Sequence, residues 1–398
     1  MKVLMLAHRF SPSIGGVETH LLELSKNLIA RGHQVTIFSS NLEEAGSGKK
    51  HARALSRHTV DGIEVVRFNA FPLKNSIDSA TLVPGQLLAA LRHVNHFDIL
   101  HAHSYGYFSS IAASVIKQFH RTPLVFTPHF AAETVVNQRI RQAYDRFVGS
   151  YTLKKASKII VLTDIEQRAI QRVAKIPDER FAIIPNGVDL ERFTKPYDPV
   201  ALRKKFGIEK DGKIILSVCR MAPNKGLDYL AQAGTKIFKQ FPKAKMIMVG
   251  QDWGMQAVVS NIASKGGFES SVTFTGKLPL EQMDALYREA DVFCLPSIAG
   301  EAFGIVYLEA MAGGTPIVAT NVGGVPSLVA DTENGFLIPP RDSDAIAERT
   351  IALLSDERLS DAISKNNLAK AKRYSWSAIA QKTEAVYTSL CGTNDRVD

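Results

Sequence analysis

The chain has 398 residues, 45% hydrophobic and 22% charged, enough for two ordinary domains with substantial cores and too many for one. No run approaches the about 18 apolar residues of a membrane span, "MKVLMLA" turns polar too soon for a signal peptide, and three cysteines without C-x-x-C spacing argue against a disulfide framework and against a zinc site; a cytosolic protein is expected. The formal charge of +9 is uneven: residues 1–190 carry 23 Lys and Arg against 15 Asp and Glu and all 11 histidines, while the remainder carries 25 against 24, so the first half either meets an anionic partner or carries solubility charge.

Short β-branched runs alternate with amphipathic stretches from the start, which predicts βαβ units and parallel sheets. The first run, 3–7, leads into "HRFSPSIGGVETH", where Gly15 and Gly16 precede a helix with its apolar face at Val17, Leu21, Leu24 and Leu28. Paired glycines between strand and helix admit an anion to backbone N–H groups, although such turns are common. The fingerprint G-x-G-x-x-G is absent, which disfavours an NAD enzyme. Strands follow at 34–39, 63–68 and 98–103. The last of these puts His101 and His103 on one strand face, but no third ligand stands at metal spacing in the sequence. The run 123–127 is followed by Pro128 and His129, a histidine suited either to a sugar hydroxyl or to a purely structural bond. Strands at 158–163 and 181–185 complete the first half, and the prolines within 194–199 mark the expected linker.

The rhythm restarts at 213–219, 245–250, 272–276, 291–296, 316–320 and 335–339. Arg220 and Lys225 follow the first of these strands and flank a helix start near Gly226, a placement that can clamp a diphosphate by charge-assisted hydrogen bonds. In "GEAFGIVYLEAMAGGTP" Glu301 and Glu309 stand eight positions apart. If a helix begins near Gly304, Glu301 lies in the loop over its N-terminus and Glu309 in its second turn, so both border a ligand held there; a loop and a solvated helix glutamate are the plainer alternative. The D-x-D pair Asp342 and Asp344 opens a helical pattern and is read as an N-cap rather than a metal site.

Together, "PSIGGVETH", "TPH", "IPNGVDLERF", the R-x4-K of "RMAPNKG", "VTFTG", E-x7-E, "EAMAGGTPIVAT" and "GFLIPP" resemble the retaining glycosyltransferases of family 4, over nearly the whole chain and in the family's order. The resemblance implies the GT-B fold: an α/β protein of two doubly wound Rossmann-like domains facing across a cleft. It implies an acceptor-side domain at 1–194, joined by a returning C-terminal helix at about 375–398, and a nucleotide-sugar domain at 195–374. Glu301 would hold donor hydroxyls, with backbone N–H groups of Phe303, Gly304 and Ile305 over sugar and phosphate, and Glu309 would grip the ribose. Arg220 and Lys225 would neutralise the diphosphate, and Gly15 and Gly16 would admit it from the other domain. His129 would lie near the reacting carbon, and the backbone at Lys277 and Leu278 would meet the base.

The implied activity moves a hexose from a UDP- or GDP-sugar to an acceptor hydroxyl with retention, with no metal and no other cofactor. A nucleotide-sugar epimerase of the same architecture, and less so a dinucleotide-dependent oxidoreductase, are the alternatives. Basic segments with interleaved aromatics, "KKHARALSRH" at 49–58 and 138–158, suit an enzyme peripheral on the inner face of the cell membrane and acting on a lipid; a solvated loop and helix is the other reading. Nucleic acid is a poorer fit, because no recognition motif accompanies the charge.

Overall fold

A computed structural model describes residues 1–13, 15–42, 57–72, 81–130 and 138–392. The chain divides into two compact units, one of Met1–Asn186 with the chain from Trp376 onward, the other of Gly187–Ser375. The division thus falls ahead of the proline-punctuated 194–199. That stretch packs within the second unit, where Tyr197 donates to Glu289 at 2.6 Å and Asp198 caps the helix Pro199–Lys205.

The first unit contains β1 (Lys2–Leu6), β2 (Gln34–Ser40), β3 (Arg57–Val60), β4 (Ile63–Phe68), β5 (Phe71–Pro72), β6 (Thr81–Leu82), β7 (Ile99–His103), β8 (Leu124–Thr127), β9 (Lys158–Val161) and β10 (Phe181–Ile183). Eight of them form one sheet in the order β10-β9-β8-β7-β1-β2-β4-β3, parallel throughout except for β3 against β4. The central strands are buried on both faces, which is why they read as unbroken apolar runs. Residues 43–56 of the basic loop lie outside the described residues. Arg57 and His58, at the end of that loop, belong to β3, an exposed antiparallel edge that the sequence did not announce. The helix Gly16–Ala30 buries Leu21, Leu24 and Leu28 as its spacing requires, and the helix Trp376–Cys391 adds Trp376, Ile379, Ala380 and Tyr387 to the same core. Glu384 fastens the two, accepting from Arg31 at 2.6 Å and meeting His33 Nε2 at 2.9 Å.

The second unit contains β11 (Ile214–Val218), β12 (Lys245–Val249), β13 (Val272–Gly276), β14 (Val292–Leu295), β15 (Ile317–Thr320) and β16 (Gly335–Ile338), all parallel, in the order β13-β12-β11-β14-β15-β16. This is the doubly wound order in which the winding reverses between the first and fourth strands, β11 and β14. Ligands of such sheets bind at the carboxyl ends beside that reversal. Asp342 caps the helix Ser343–Ser355 by accepting from Ala345 N–H, and Asp344 pairs with Lys236 at 2.9 Å. Cys294 is buried in β14 and Cys219 lies just past β11, both as free thiols.

Candidate functional site

In the second unit the loops leaving β11 and β14 lock together. Ile298 N–H donates to the carbonyl of Asn224 at 2.9 Å, and Asn224 Nδ2 donates to the carbonyl of Ala299 at 3.2 Å. Gly226 has φ 66°, and a Cβ there would stand 2.1 Å from the carbonyl oxygen of Pro296, so only glycine permits this approach. The locked loops carry Lys225 onto Glu301: the ammonium donates to Oε1, which also accepts from Ser297 Oγ at 2.7 Å. Glu301 is buried, and its carbonyl accepts from Gly324 N–H at 2.8 Å, which fixes the loop from below. Arg220 remains exposed, with its guanidinium 4.8 Å from the centroid of the Trp253 ring. Cation and indole attract, which limits where the guanidinium can swing.

The helix Ile305–Gly313 begins where the two glutamates required, with Gly304 at its N-cap in the left-handed region and no side-chain cap. Tyr307 N–H donates to the Gly304 carbonyl at 3.1 Å, which leaves the N–H groups of Ile305 and Val306 at the positive end of the helix, an arrangement that favours negative charge. Glu309 is more engaged than the sequence suggested. Its Oε1 accepts from Arg192 at 3.0 Å and its Oε2 from the Tyr287 hydroxyl at 3.1 Å, while Arg192 Nε also donates to Asp284 at 3.1 Å. Burial pushes the Glu309 carboxyl above its ordinary range, and Arg192 works against that shift. Each carboxylate oxygen keeps a second lone pair, so a ligand hydroxyl placed there would share Glu309 with Arg192 and Tyr287. Lys277 and Leu278 follow β13, whose last residue, Gly276, accepts from Gly250 N–H at 2.9 Å. Lys277 is exposed and Leu278 half-buried.

In the first unit, Gly15 caps and Gly16 begins the helix after β1. A Cβ on Gly15 would stand 2.3 Å from Glu18 Oε2, and Glu18 in turn pairs with Arg9 at 3.1 Å, so a carboxylate already borders this turn. His129 follows β8 with φ 49° and joins a cluster of imidazoles. His103 Nδ1 lies 3.4 Å from His129 Nε2, and His20 has its ring centroid 4.9 Å from that of His129. The pair drawn from sequence, His101 with His103, is not the unit of the cluster. His101 is spent on Tyr387 at 2.6 Å and Thr127 at 2.8 Å, whereas His20, His103 and His129 bring one ring nitrogen each to within 4.8 Å of the others. The third histidine that linear spacing failed to supply comes from the helix after β1. Burial pushes His20 down to about 4, against the raising effect of its bond to Asn186. Burial first, and neighbouring imidazoles second, hold His101, His103 and His129 well below the usual histidine range.

Arg220, Lys225, Glu301, Phe303, Gly304, Ile305 and Glu309 thus gather around β11, β14 and the helix after β14, while Lys277 and Leu278 stand beyond β12, in the loop that follows the edge strand β13. Gly15, Gly16 and His129 belong to the first unit. The sequence reading missed Ser297, which shares Glu301 with Lys225, and Arg192, Asp284 and Tyr287, which hold Glu309. Arg192 lay inside the quoted "DLERF"; nothing in the spacing revealed the others.

The profile "Glycosyl transferases group 1" matches residues 200–370, and "Glycosyltransferase Family 4" matches residues 14–192. A phosphatidyl-myo-inositol mannosyltransferase of Mycobacterium tuberculosis is 27% identical over 397 residues, covering 96% of this chain and 95% of its own. The structure of sucrose-phosphate synthase from Thermosynechococcus elongatus superposes with a TM-score of 0.80 at 23% identity, over 98% of this chain and 99% of that one. Anabaena HepE, solved in complex with UDP and glucose, gives 0.78 at 24% identity over 98% and 100% of the two chains. With both profiles in register along almost the entire sequence, the chain belongs to the group 1, family 4 glycosyltransferases and has their GT-B fold.

Proposed function

We propose that this glycosyltransferase moves a hexose from a UDP- or GDP-sugar to an acceptor hydroxyl with retention and without a metal at the diphosphate. The observation that carries the reading is the Lys225–Glu301 pair, joined across the loops that leave β11 and β14 at the reversal of the second sheet; the first of these loops also carries Arg220, and the second leads into a helix with no side-chain cap. There the positive groups needed by a departing nucleoside diphosphate adjoin a carboxylate able to hold sugar hydroxyls. Arg220, Lys225 and the N–H groups at Phe303, Gly304 and Ile305 would take up charge on the leaving group, a stabilisation worth most where water is excluded. Glu301 would orient the hexose, and Glu309 the ribose. The backbone at Lys277 and Leu278 keeps its assignment to the base. From the first unit, Gly15 and Gly16 are assigned to the anion and His129 to a sugar hydroxyl.

No side chain is assigned as a nucleophile, so the reading is a front-face displacement through an oxocarbenium-like state, the acceptor entering on the side the diphosphate leaves. For the acceptor we favour a lipid at an anionic membrane surface. The relative from Mycobacterium tuberculosis is named for phosphatidyl-myo-inositol. In this chain Arg139, Arg146, Lys154 and Lys155 accompany exposed Ile140, Phe147 and Tyr151 along 138–155. No helix among the described residues is long and apolar enough to cross a membrane.

Thermal shift with UDP, GDP and ADP, then with their sugars, tests the donor assignment. One of UDP or GDP should raise the melting temperature in wild type and much less in Arg220→Ala, as binding to the folded state alone requires. A shift of equal size in the two proteins would overturn the assignment.

A further inference from the structure

The imidazole cluster at the carboxyl ends of the first sheet has a feature that the transfer reaction does not use. His20 and His103 are almost completely buried, and among the described residues His20 Nε2 meets no hydrogen-bond partner. Orphaned nitrogens of this kind are costly unless something seats on them. His20 is held for ligation: Asn186 Oδ1 accepts from its Nδ1–H at 2.7 Å, which fixes the tautomer and leaves Nε2 with a free lone pair. The 3.4 Å between His103 Nδ1 and His129 Nε2 matches the edge of a coordination tetrahedron, since bonds of about 2.1 Å to zinc put neighbouring nitrogens about 3.4 Å apart. One nitrogen from each of the three rings falls within 4.8 Å of the others.

From this geometry we infer that His20, His103 and His129 form a binding site for a single zinc ion, with Asn186 as its orienting partner and one coordination position open. Imidazole nitrogens without a carboxylate select zinc over magnesium or calcium, which want oxygen. The site lies on the first unit and is distinct from the residues assigned to the diphosphate. Where it rests on the transferase reading, it predicts inhibition: zinc occupies the nitrogen of His129 that the sugar would use, so added zinc lowers turnover and chelator restores it.

The test uses the full chain without a purification tag, stripped with chelator and loaded with zinc chloride or cobalt chloride alone, with no donor present. One equivalent of zinc retained through desalting is expected. Cobalt should show the visible bands of a four-coordinate ion. His20→Ala and His103→Ala should each weaken binding at least 100-fold, and Asn186→Ala, which leaves all three ligands in place, about 10- to 100-fold. Circular dichroism checks that each variant folds, and Asn186→Ala decides the matter if the histidine variants do not. Retention below one-tenth of an equivalent by wild type, or an equivalent that survives in the variants that fold, overturns the site whatever becomes of the transferase reading. Binding as described with no loss of turnover would leave the site standing and remove His129 from the transfer step.

Discussion

Replacing Glu301 by alanine perturbs both the fold and the chemistry, and the structure sets the size of each effect. The side chain accepts from Lys225 and from Ser297, the latter at 2.7 Å, and the charged groups have only 13% and 9% of their side-chain surface exposed for Lys225 and Glu301 respectively. Truncation leaves Lys225 with little water and no counter-charge. Charge-assisted hydrogen bonds are each worth about 1.5–3 kcal/mol, and the residual path of Lys225 to solvent brings the expected loss to about 2–3 kcal/mol. For a unit of this size that lowers the melting temperature by roughly 4–12 °C. Turnover should fall further than stability explains, by about 10- to 1,000-fold, or about 1.4–4 kcal/mol of barrier, because the carboxylate is assigned to hydroxyls at the reacting centre. Release of free nucleotide from the donor, followed well below the melting temperature, separates the two effects. Ser297→Ala, which keeps the carboxylate and its Lys225 partner, serves as the mild control and should retain most activity. Unchanged turnover in a folded Glu301→Ala protein would refute the assignment, and an unchanged melting temperature would refute the buried pair.

Gly226→Ala should cost stability and activity together, because its Cβ would stand 2.1 Å from the Pro296 carbonyl and its φ of 66° is strained for alanine; wild-type melting and turnover would show that the two loops are not locked. Arg192→Met should destabilise the second unit by about 3–5 kcal/mol in urea unfolding, since it strands Asp284 and Glu309 without a cation, and a loss below about 1 kcal/mol would show that the network is not held by charge. Acid should weaken the first unit through its histidines. His20 titrates at about 4 when folded and near 6.5 when unfolded, so its contribution is complete above 6.5 and falls away as pH drops towards 4, by about 3 kcal/mol. Urea unfolding at pH 7.5 and 5 should show about 2 kcal/mol of this loss, and His20→Gln should reduce it; the same loss in the two proteins would contradict it.

The fold was legible because parallel strands buried on both faces leave unbroken apolar runs, and all thirteen of the runs read as strands appear as strands. The strands not foreseen, β3, β5 and β6, are short and exposed or antiparallel, with no apolar run to mark them. The helix start at Gly304 was readable because glycine and a following apolar stretch mark it, and this put Glu301 and Glu309 where the structure has them. What holds those glutamates was not readable. Lys225 reaches Glu301 across 76 positions and Arg192 reaches Glu309 across 117, separations over which periodicity carries no information. The same limit hid the histidine cluster: His101 and His103 are neighbours in sequence, but the cluster forms between His103, a helix residue far upstream and a loop residue after the next strand.

The central claim is that fixed cations and backbone N–H groups of the second unit accept the charge of a departing nucleoside diphosphate with no metal at that site. It is tested most directly by donor turnover in the presence of excess chelator, compared between wild type and Lys225→Ala. The account predicts that chelator leaves wild-type turnover undiminished while Lys225→Ala loses at least tenfold. Turnover abolished by chelator and restored by manganese, with Lys225→Ala as active as wild type, would contradict it.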